Sequence, residues 1–254
     1  MPTSPKSTSR RTAVTRARSA SQRGARLPVA SKEAEGLVRR PLQSRSEQSL
    51  ANMVAACRAL AEQRGNLDDF SLGEVVAAAK TSIGAFYARF KDKEAMLAYV
   101  LDVVLGEAEQ VALRSIAENT VWQTGPAEAI VERIVHFYLS QYRENRGLFG
   151  AFLRHYTARG LELNLMRTAN RRIIGLIEPW LASQLRDRSR PVAIFEVRTA
   201  IQFVVGTLSN ILLHDPGPLH LDDEAIEQHL NRMATRYLGL PEVRLARGGR
   251  RLTR

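Results

Sequence analysis

The residues best suited to chemistry in this chain are hydrogen-bond donors and cations between positions 71 and 93. Hydroxyl, phenol and ammonium groups bind the phosphate oxygens of a nucleic acid and fix the orientation of a protein on the duplex. Small apolar side chains among them can contact thymine methyl groups at base edges. We predict base contacts from Ile83 and Ala85, and phosphate contacts from Ser71, Lys80, Thr81, Ser82, Tyr87 and Lys93.

Helix start signals show which elements must position these side chains. Ser71 and Glu74 form a capping box, which predicts a helix beginning there. Thr81 or Ser82 can cap a second short helix, and Asp92 can cap a third, longer one. Two short helices joined by a turn of three or four residues have the dimensions of a helix-turn-helix. An ordinary corner between two helices has the same spacing, so the pattern alone leaves both interpretations open.

A helix preceding this pair is predicted from Ser44, where Glu47 repeats the capping-box spacing, to a stop at Gly65. It gives the two short helices a surface to pack on, which they need because isolated helices of this length are unstable. Cys57, the single cysteine, lies on its apolar stripe. We therefore predict a small buried core residue there rather than a redox sensor.

The segment from Ser44 to Leu97 resembles the N-terminal domain of the TetR family of bacterial transcriptional regulators. The resemblance implies an all-α fold, with an N-terminal three-helix helix-turn-helix DNA-binding domain and a C-terminal helical domain for ligand binding and dimerisation. It also implies a sequence-specific regulator, a repressor modulated by a small-molecule effector. The residues that carry the resemblance are Ala79, Ser82, Gly84, Phe86, Tyr87, Phe90, Lys93, Glu94 and Leu97.

Two departures from the family pattern affect DNA recognition. Lys80 stands where the family usually has glycine in the turn; it suits a phosphate contact but adopts positive φ less readily. Ile83, Ala85 and Ala88 replace polar residues that the family often presents to bases. We therefore expect few hydrogen bonds to bases, with DNA shape adding to the discrimination.

The net charge of +11 is confined to the two ends of the chain. Residues 1–43 carry a net charge of +8 and residues 242–254 carry +4, whereas residues 44–241 carry −1. We predict a disordered basic arm over 1–43, the DNA-binding domain over 44–97, the effector and dimerisation domain over 98–241, and a disordered basic tail over 242–254.

The arm has more than one interpretation. It can add phosphate contacts or enter a minor groove, or it can be a solvated extension without a role. Its composition up to Lys32, rich in Arg and Ser and free of acids, also resembles an organelle transit peptide. It has no apolar segment suited to a secretory signal, so we expect a cytoplasmic protein.

Beyond the fourth helix the breaks in the pattern predict five further helices, with a kink at Pro179. The stretch from Thr199 to Leu213 contains no charged residue, which predicts burial on more than one face. This indicates a subunit interface, with a core helix of a single chain as the alternative. The family resemblance implies a homodimer through the last two long helices, here about 191–214 and 221–238. Gly206 and Ser209 would allow close helix approach. Such a dimer would bind a roughly palindromic operator.

The resemblance also implies a small-molecule pocket in the C-terminal domain, which would act by shifting the population between two dimer conformations. Aromatic residues at helical spacing pack in a core more often than they bind a ligand, so most candidates are expected to be core residues. The candidates are His136, Tyr138, Tyr142, Phe149, Phe152, His155, Tyr156, Trp180, Phe203 and Asn210.

Two other classes of protein remain as alternatives. An all-helical enzyme is the weaker one, because the five histidines lack metal-binding spacing and the chain lacks a glycine-rich phosphate loop and a nucleophile elbow. We therefore predict no catalysis, no cofactor and no metal. A nonspecific DNA-packaging protein driven by the basic ends is the other alternative.

Overall fold

The computed structural model describes residues 44–159 and 164–241, and over these ranges every regular element is a helix. The predicted basic arm and tail lie outside the described residues. The helices are α1 (Ser44–Arg64), α2 (Leu72–Ala78), α3 (Ile83–Tyr87), α4 (Lys93–Glu118), α5 (Val121–Thr124), α6 (Ala127–Glu144), α7 (Arg146–Ala158), α8 (Asn164–Ala182), α9 (Arg190–His214) and α10 (Ile226–Tyr237).

Side-chain caps set the starts of α2, α3 and α4, as predicted. Ser71, Ser82 and Asp92 each accept a hydrogen bond from the backbone N–H three residues later, at 3.2, 3.1 and 2.8 Å. Glu74 completes the capping box by accepting from the Ser71 N–H at 2.8 Å. Of the two candidates for the second cap, the structure uses Ser82 and not Thr81. These local bonds satisfy amide groups that a helix leaves unpaired at its start.

The helices α1, α2, α3 and the first two turns of α4 form a unit that we call the head. Its core is fully buried and includes Met53 of α1, Phe86 of α3 and Phe90 just after α3. The rings of Phe86 and Phe90 lie 5.3 Å apart between centroids. Burying a side chain of this size contributes about 1.5 to 3 kcal/mol, which holds the five-residue α3 against α1.

Cys57 lies on the buried side of α1, as predicted. Burial raises the pKa of the Cys57 thiol to about 12. Since only the thiolate reacts, the folded protein is expected to resist iodoacetamide at mildly alkaline pH, and to be modified rapidly once urea unfolds it. Mass spectrometry of the two samples measures this difference. Equal rates of modification would show that Cys57 is not buried in solution.

The rest of the chain, from the third turn of α4 to α10, forms the body. Its centre is α4, whose buried residues include Val100, Leu101 and Val104. Helix α8 packs along α4, α9 packs on α8 and α6, and α10 packs on α6. Because α4 runs through residue 97 without a break, one rigid rod belongs to both head and body.

Two features of the body differ from the prediction. Six helices rather than five follow α4 among the described residues, because the four-residue α5 was not foreseen. The last helix begins at Ile226 and not near 221. Arg143 explains the later start, since its guanidinium binds the backbone carbonyls of Leu221 and Asp223, both at 2.9 Å. The Asp223 carboxylate also accepts from the His220 N–H at 2.7 Å.

By length and composition, helix α9 is long and apolar enough to cross a membrane, but a single helix of this kind is weak evidence for a membrane span. One side of it is buried in the body through residues that include Val197, Ile201 and Leu208. Arg198 near its middle pairs with Glu178 of α8 at 2.6 Å. A buried face and an ion pair to a neighbouring helix fit a core helix with one further face open.

Candidate functional site

Helix α3 is only five residues long, and one of its sides is exposed. Phe86 is buried, whereas Ile83 is 44% exposed and Tyr87 is 53% exposed. Such exposed apolar and aromatic side chains on a rigid element indicate a surface made for contact. Ala85 is partly buried on the same helix. Of the two predicted base contacts, Ile83 is therefore the more accessible.

The turn between α2 and α3 is a Schellman motif. The Thr81 N–H bonds the Val76 carbonyl at 2.9 Å, and the Lys80 N–H bonds the Ala77 carbonyl at 3.1 Å. Lys80 takes the left-handed position with φ of 51°, and its side chain is exposed. The Thr81 hydroxyl lies 3.0 Å from that of Ser49, which ties the turn to α1. The exposed lysine is therefore held beside α3 on a fixed turn.

Lys80→Gly is expected to stabilise the protein while weakening DNA binding. Glycine removes the steric cost of the left-handed position, for a net gain of about 0.5 to 1 kcal/mol. If Lys80 binds a phosphate as predicted, removal of its ammonium lowers the slope of log K against log salt concentration by about 0.9. Urea denaturation and salt-dependent fluorescence anisotropy measure the two effects.

Lys80→Ala is the matched control, because it removes the charge but keeps the strained backbone. It should weaken DNA binding as Lys80→Gly does, without the gain in stability. If both variants keep the salt slope of the wild type, Lys80 does not contact a phosphate of the DNA.

Arg89 holds the end of α3 against the start of α1. Its buried guanidinium donates to the Ala85 carbonyl at 2.9 Å and to both the carbonyl and the hydroxyl of Ser46. Among the described residues no carboxylate pairs with it, and its Nε is buried without a partner. Desolvation lowers the pKa of Arg89, which nevertheless stays a cation. Sequence reasoning missed this positive charge next to the exposed edge of the head.

Two of the predicted phosphate contacts have partners inside the protein. The Lys93 ammonium donates to the carbonyls of Leu67 and Phe70 and lies 4.4 Å from the centroid of the Phe70 ring. It therefore braces the connection between α1 and α2. The Ser71 hydroxyl donates to the Glu74 carboxylate at 3.0 Å. Both side chains therefore stabilise the head, as the hydroxyls of Thr81 and Ser82 also do through Ser49 and the Ala85 N–H.

The head is attached to the body along α1 and α7. The Glu62 carboxylate accepts from the N–H groups of Gly147 and Leu148 at 2.8 and 2.7 Å, which caps the start of α7. Farther along α7, Arg154 donates to the Gly65 carbonyl. Glu62 thus satisfies N–H groups at the start of α7, and Arg154 satisfies a carbonyl just after the end of α1.

A second joint connects α7 to the start of α4. Arg159 binds Glu94 and Asp68, both at 2.7 Å. The buried His155 ring places Nε2 3.0 Å from the Glu94 carboxylate. His155, predicted as a ligand residue, therefore belongs to the joint between head and body.

A cavity of about 230 Å³ lies in the body between α4, α6, α7, α8 and α9. Ligand sites in proteins are concave and mostly apolar, with a few polar groups that orient the ligand. The apolar wall includes Leu105, Phe137, Phe149, Leu153, Ile173 and Val205.

Four polar side chains in the wall form two hydrogen-bonded pairs. The Tyr138 hydroxyl donates to the side-chain Oδ1 of Asn170 at 2.8 Å, and the hydroxyls of Tyr142 and Ser209 lie 2.6 Å apart. Burial raises the pKa of both tyrosines, so their hydroxyls stay neutral. Gln141 and Arg167 also line the cavity.

Of the predicted ligand residues, Tyr138, Tyr142 and Phe149 line the cavity. The other predicted residues do not line it, because they pack in the core or lie on the surface. His136 pairs with Glu227 of α10 at 3.1 Å on the surface. The residues that do not line the cavity are His136, Phe152, His155, Tyr156, Trp180, Phe203 and Asn210. Sequence reasoning also missed Gln141, Arg167, Asn170 and Ser209, which carry no aromatic signal.

The other side of α9 carries an exposed stripe of apolar and small residues. Phe195 and Phe203 are exposed, and Gly206 lies one turn beyond. The ring of Phe203 lies 5.1 Å from that of Tyr237 on α10, so the stripe continues onto the second helix. Ser209 does not belong to it, contrary to prediction, because its hydroxyl faces Tyr142 in the cavity.

A helix-turn-helix head on a helical body with its own cavity is the arrangement expected of a DNA-binding regulator with a ligand domain. Two family models match the chain. "Bacterial regulatory proteins, tetR family" covers residues 53–100, and "Tetracyclin repressor-like, C-terminal domain" covers residues 126–238. The chain belongs to the TetR family of bacterial transcriptional regulators, which confirms the predicted resemblance and the all-helical fold.

Among solved structures, Salmonella enterica GusR is similar in fold, at 18% sequence identity and a TM-score of 0.49. The alignment covers 78% of this chain and 98% of that one. No curated protein matches the chain in sequence. Membership of the family confirms a DNA-binding transcriptional regulator, and TetR regulators are generally not enzymes.

Proposed function

We propose that the chain is a cytoplasmic homodimeric repressor, which binds a roughly palindromic operator through α3 and releases it when a small molecule fills the cavity. It needs no catalysis, cofactor or metal for this. The observation that carries the proposal is the continuity of α4. This one helix holds the head at its start and forms part of the cavity wall at Leu105 and Ala108.

DNA contact is proposed for the exposed edge of the head. Ile83 and Ala85 would face base edges in the major groove, and Lys80, Thr81, Ser82 and Tyr87 would face phosphates. The exposure of Ile83 and Tyr87 on α3, and of Lys80 in the turn before it, supports this assignment. The buried charge of Arg89 adds positive potential beside them without a phosphate contact of its own.

Dimerisation is proposed through the exposed stripe of α9 and the adjoining side of α10. Phe195, Phe203 and Tyr237 would be buried against the same residues of a second copy, since a two-fold interface brings one patch against itself. Gly206 has open space around it, which allows the backbones of two α9 helices to approach closely. The dimer then presents two α3 helices to successive major grooves.

Coupling between the cavity and DNA is proposed to run through α4 and α7. Both helices line the cavity, α4 with Leu105 and Ala108 and α7 with Phe149 and Leu153. Both also hold the head, since Glu94 at the start of α4 is bound by Arg159 just after α7. A ligand that prefers one separation of these helices shifts the dimer toward one spacing of its heads.

Filling the cavity with a side chain tests this coupling. Leu105→Trp is expected to lower operator affinity about tenfold or more in the absence of any small molecule, because the larger ring imitates an occupied cavity. Leu113→Trp on the exposed side of α4 is the matched control and should bind like the wild type. Operator affinity is measured by fluorescence anisotropy, and dimer mass by light scattering.

Circular dichroism separates the expected effect from simple unfolding. If Leu105→Trp does not fold, Ala108→Leu fills the cavity with a smaller group and serves in its place. A folded cavity-filling dimer with the operator affinity of the Leu113→Trp control would overturn the proposed coupling.

A further inference from the structure

We propose that the cavity takes a small organic anion, an aromatic carboxylate of about ten non-hydrogen atoms, with its charge on Arg167 and a polar group on Gln141. This inference rests on the proposed role of the cavity as the effector site and adds the chemical class of the effector.

The size of the cavity sets the size of the ligand. An engineered apolar cavity of about 150 Å³ holds benzene, so the 230 Å³ here corresponds to roughly nine to ten non-hydrogen atoms. Phe137 and Phe149 line it together with aliphatic side chains, which suits the flat faces of an aromatic ring. The body of the ligand is therefore one aromatic ring with a short substituent.

Gln141 supplies the first unsatisfied polar group. It is only 8% exposed, yet its side-chain amide makes no hydrogen bond with any described residue. The amide of Gln141 is not wholly enclosed by protein, so it retains access to the cavity that it lines. An amide that is largely buried without a protein partner has lost hydrogen bonds to water and gained none in the protein. A ligand that bonds this amide replaces them.

Arg167 supplies the charge. It lines the cavity, its side chain reaches solvent, and it forms no ion pair within the described part of the chain. Arg172 on the same helix, in contrast, binds Glu109 at 2.9 Å. A guanidinium binds a carboxylate through two parallel hydrogen bonds, which makes it a specific partner for that group.

The rest of the wall favours an anion as well. Among the described residues that line the cavity none is acidic, so a cationic ligand would meet Arg167 and no counter-charge. Arg167 lies one helical turn before Asn170, about 4.5 Å along the axis, and Asn170 binds the Tyr138 hydroxyl. Arg167 is thus about one helical turn from the Asn170 side chain that bonds Tyr138.

The test uses the full-length dimer and a series of matched probes: benzoate, phenylacetate and 4-hydroxybenzoate, each with its amide and its amine analogue. Titration calorimetry is expected to show the carboxylates binding about tenfold or more tightly than the amides, and no binding of the amines. Arg167→Ala should abolish the preference for carboxylate over amide, and Arg167→Lys should retain part of it. Gln141→Leu should weaken acids and amides alike.

Arg171→Ala is the matched control, because Arg171 is exposed on the same helix but does not line the cavity. It should leave the preference unchanged. Absence of binding by every carboxylate, equal binding of acids and amides, or binding of the amines would each overturn the anion assignment.

Operator release, measured separately with the same probes, distinguishes this inference from the proposed function. Carboxylates that bind through Arg167 but leave the operator complex intact would confirm the anion site and contradict the effector role. Release by amides or amines alone would contradict the anion site and support the effector role.

Discussion

Replacing Phe203 with glutamate is expected to convert the dimer into monomers and to lower operator affinity about a hundredfold. The Phe203 side chain is 43% exposed and contacts Tyr237 on the proposed dimer face. In a two-fold interface two introduced carboxylates would lose water in an apolar contact, which costs several kcal/mol for each ion. A monomer then binds with one α3 helix and loses the gain of about 10² to 10⁴ that two linked contacts provide.

Light scattering after gel filtration measures the mass, and anisotropy with a palindrome and with its half-site measures DNA binding. Leu113→Glu is the control, because Leu113 is 38% exposed on α4, which is not one of the helices of the proposed interface. It should remain dimeric and bind the palindrome normally. A Phe203→Glu variant that keeps the dimer mass would place the subunit interface elsewhere.

Gly147→Ala is expected to destabilise the protein by about 2 to 3 kcal/mol. A methyl group at Gly147 would lie 2.5 Å from the Glu62 carbonyl oxygen and 2.9 Å from the carboxylate of the same residue. The carbonyl is backbone of α1 and can only move with the helix. Since Glu62 also caps α7, the methyl group separates head from body and removes two hydrogen bonds at once.

The control for this variant is Gly175→Ala in α8, where a methyl group meets nothing within 4 Å. It should stabilise the protein by about 0.5 to 1 kcal/mol, because alanine favours a helix over glycine. Urea denaturation compares the free energy of unfolding of both variants. Equal stability of the two would show that α1 does not pack tightly against Gly147.

The head was largely predictable because its start signals are local. Ser71 with Glu74, Ser82 and Asp92 each act on backbone groups within three residues, so spacing along the chain defines them. The bracing contacts of Lys93 were not predictable, for the opposite reason. Its partners, the carbonyls of Leu67 and Phe70, lie more than twenty positions away and could not be inferred from a lysine at a helix start.

The cavity was poorly predicted because it is defined by distant packing. Five helices contribute to it, and the face that each helix turns inward depends on the packing of the others. Tyr138 and Tyr142 could be found as buried aromatics on one stripe. In the sequence, Gln141 and Arg167 look like ordinary surface residues; only the fold shows that one is buried and both line a cavity.

Selection of bound sequences from a random DNA pool, with the mass of the resulting complex, tests the central claim most directly. We expect a near-palindromic sequence with half-site centres about 34 Å apart and two chains on each duplex. Enrichment of that sequence should disappear when Ile83 and Tyr87 are both alanine. A single chain bound to each duplex, with no sequence enriched over the starting pool, would contradict a regulator that reads DNA as a dimer.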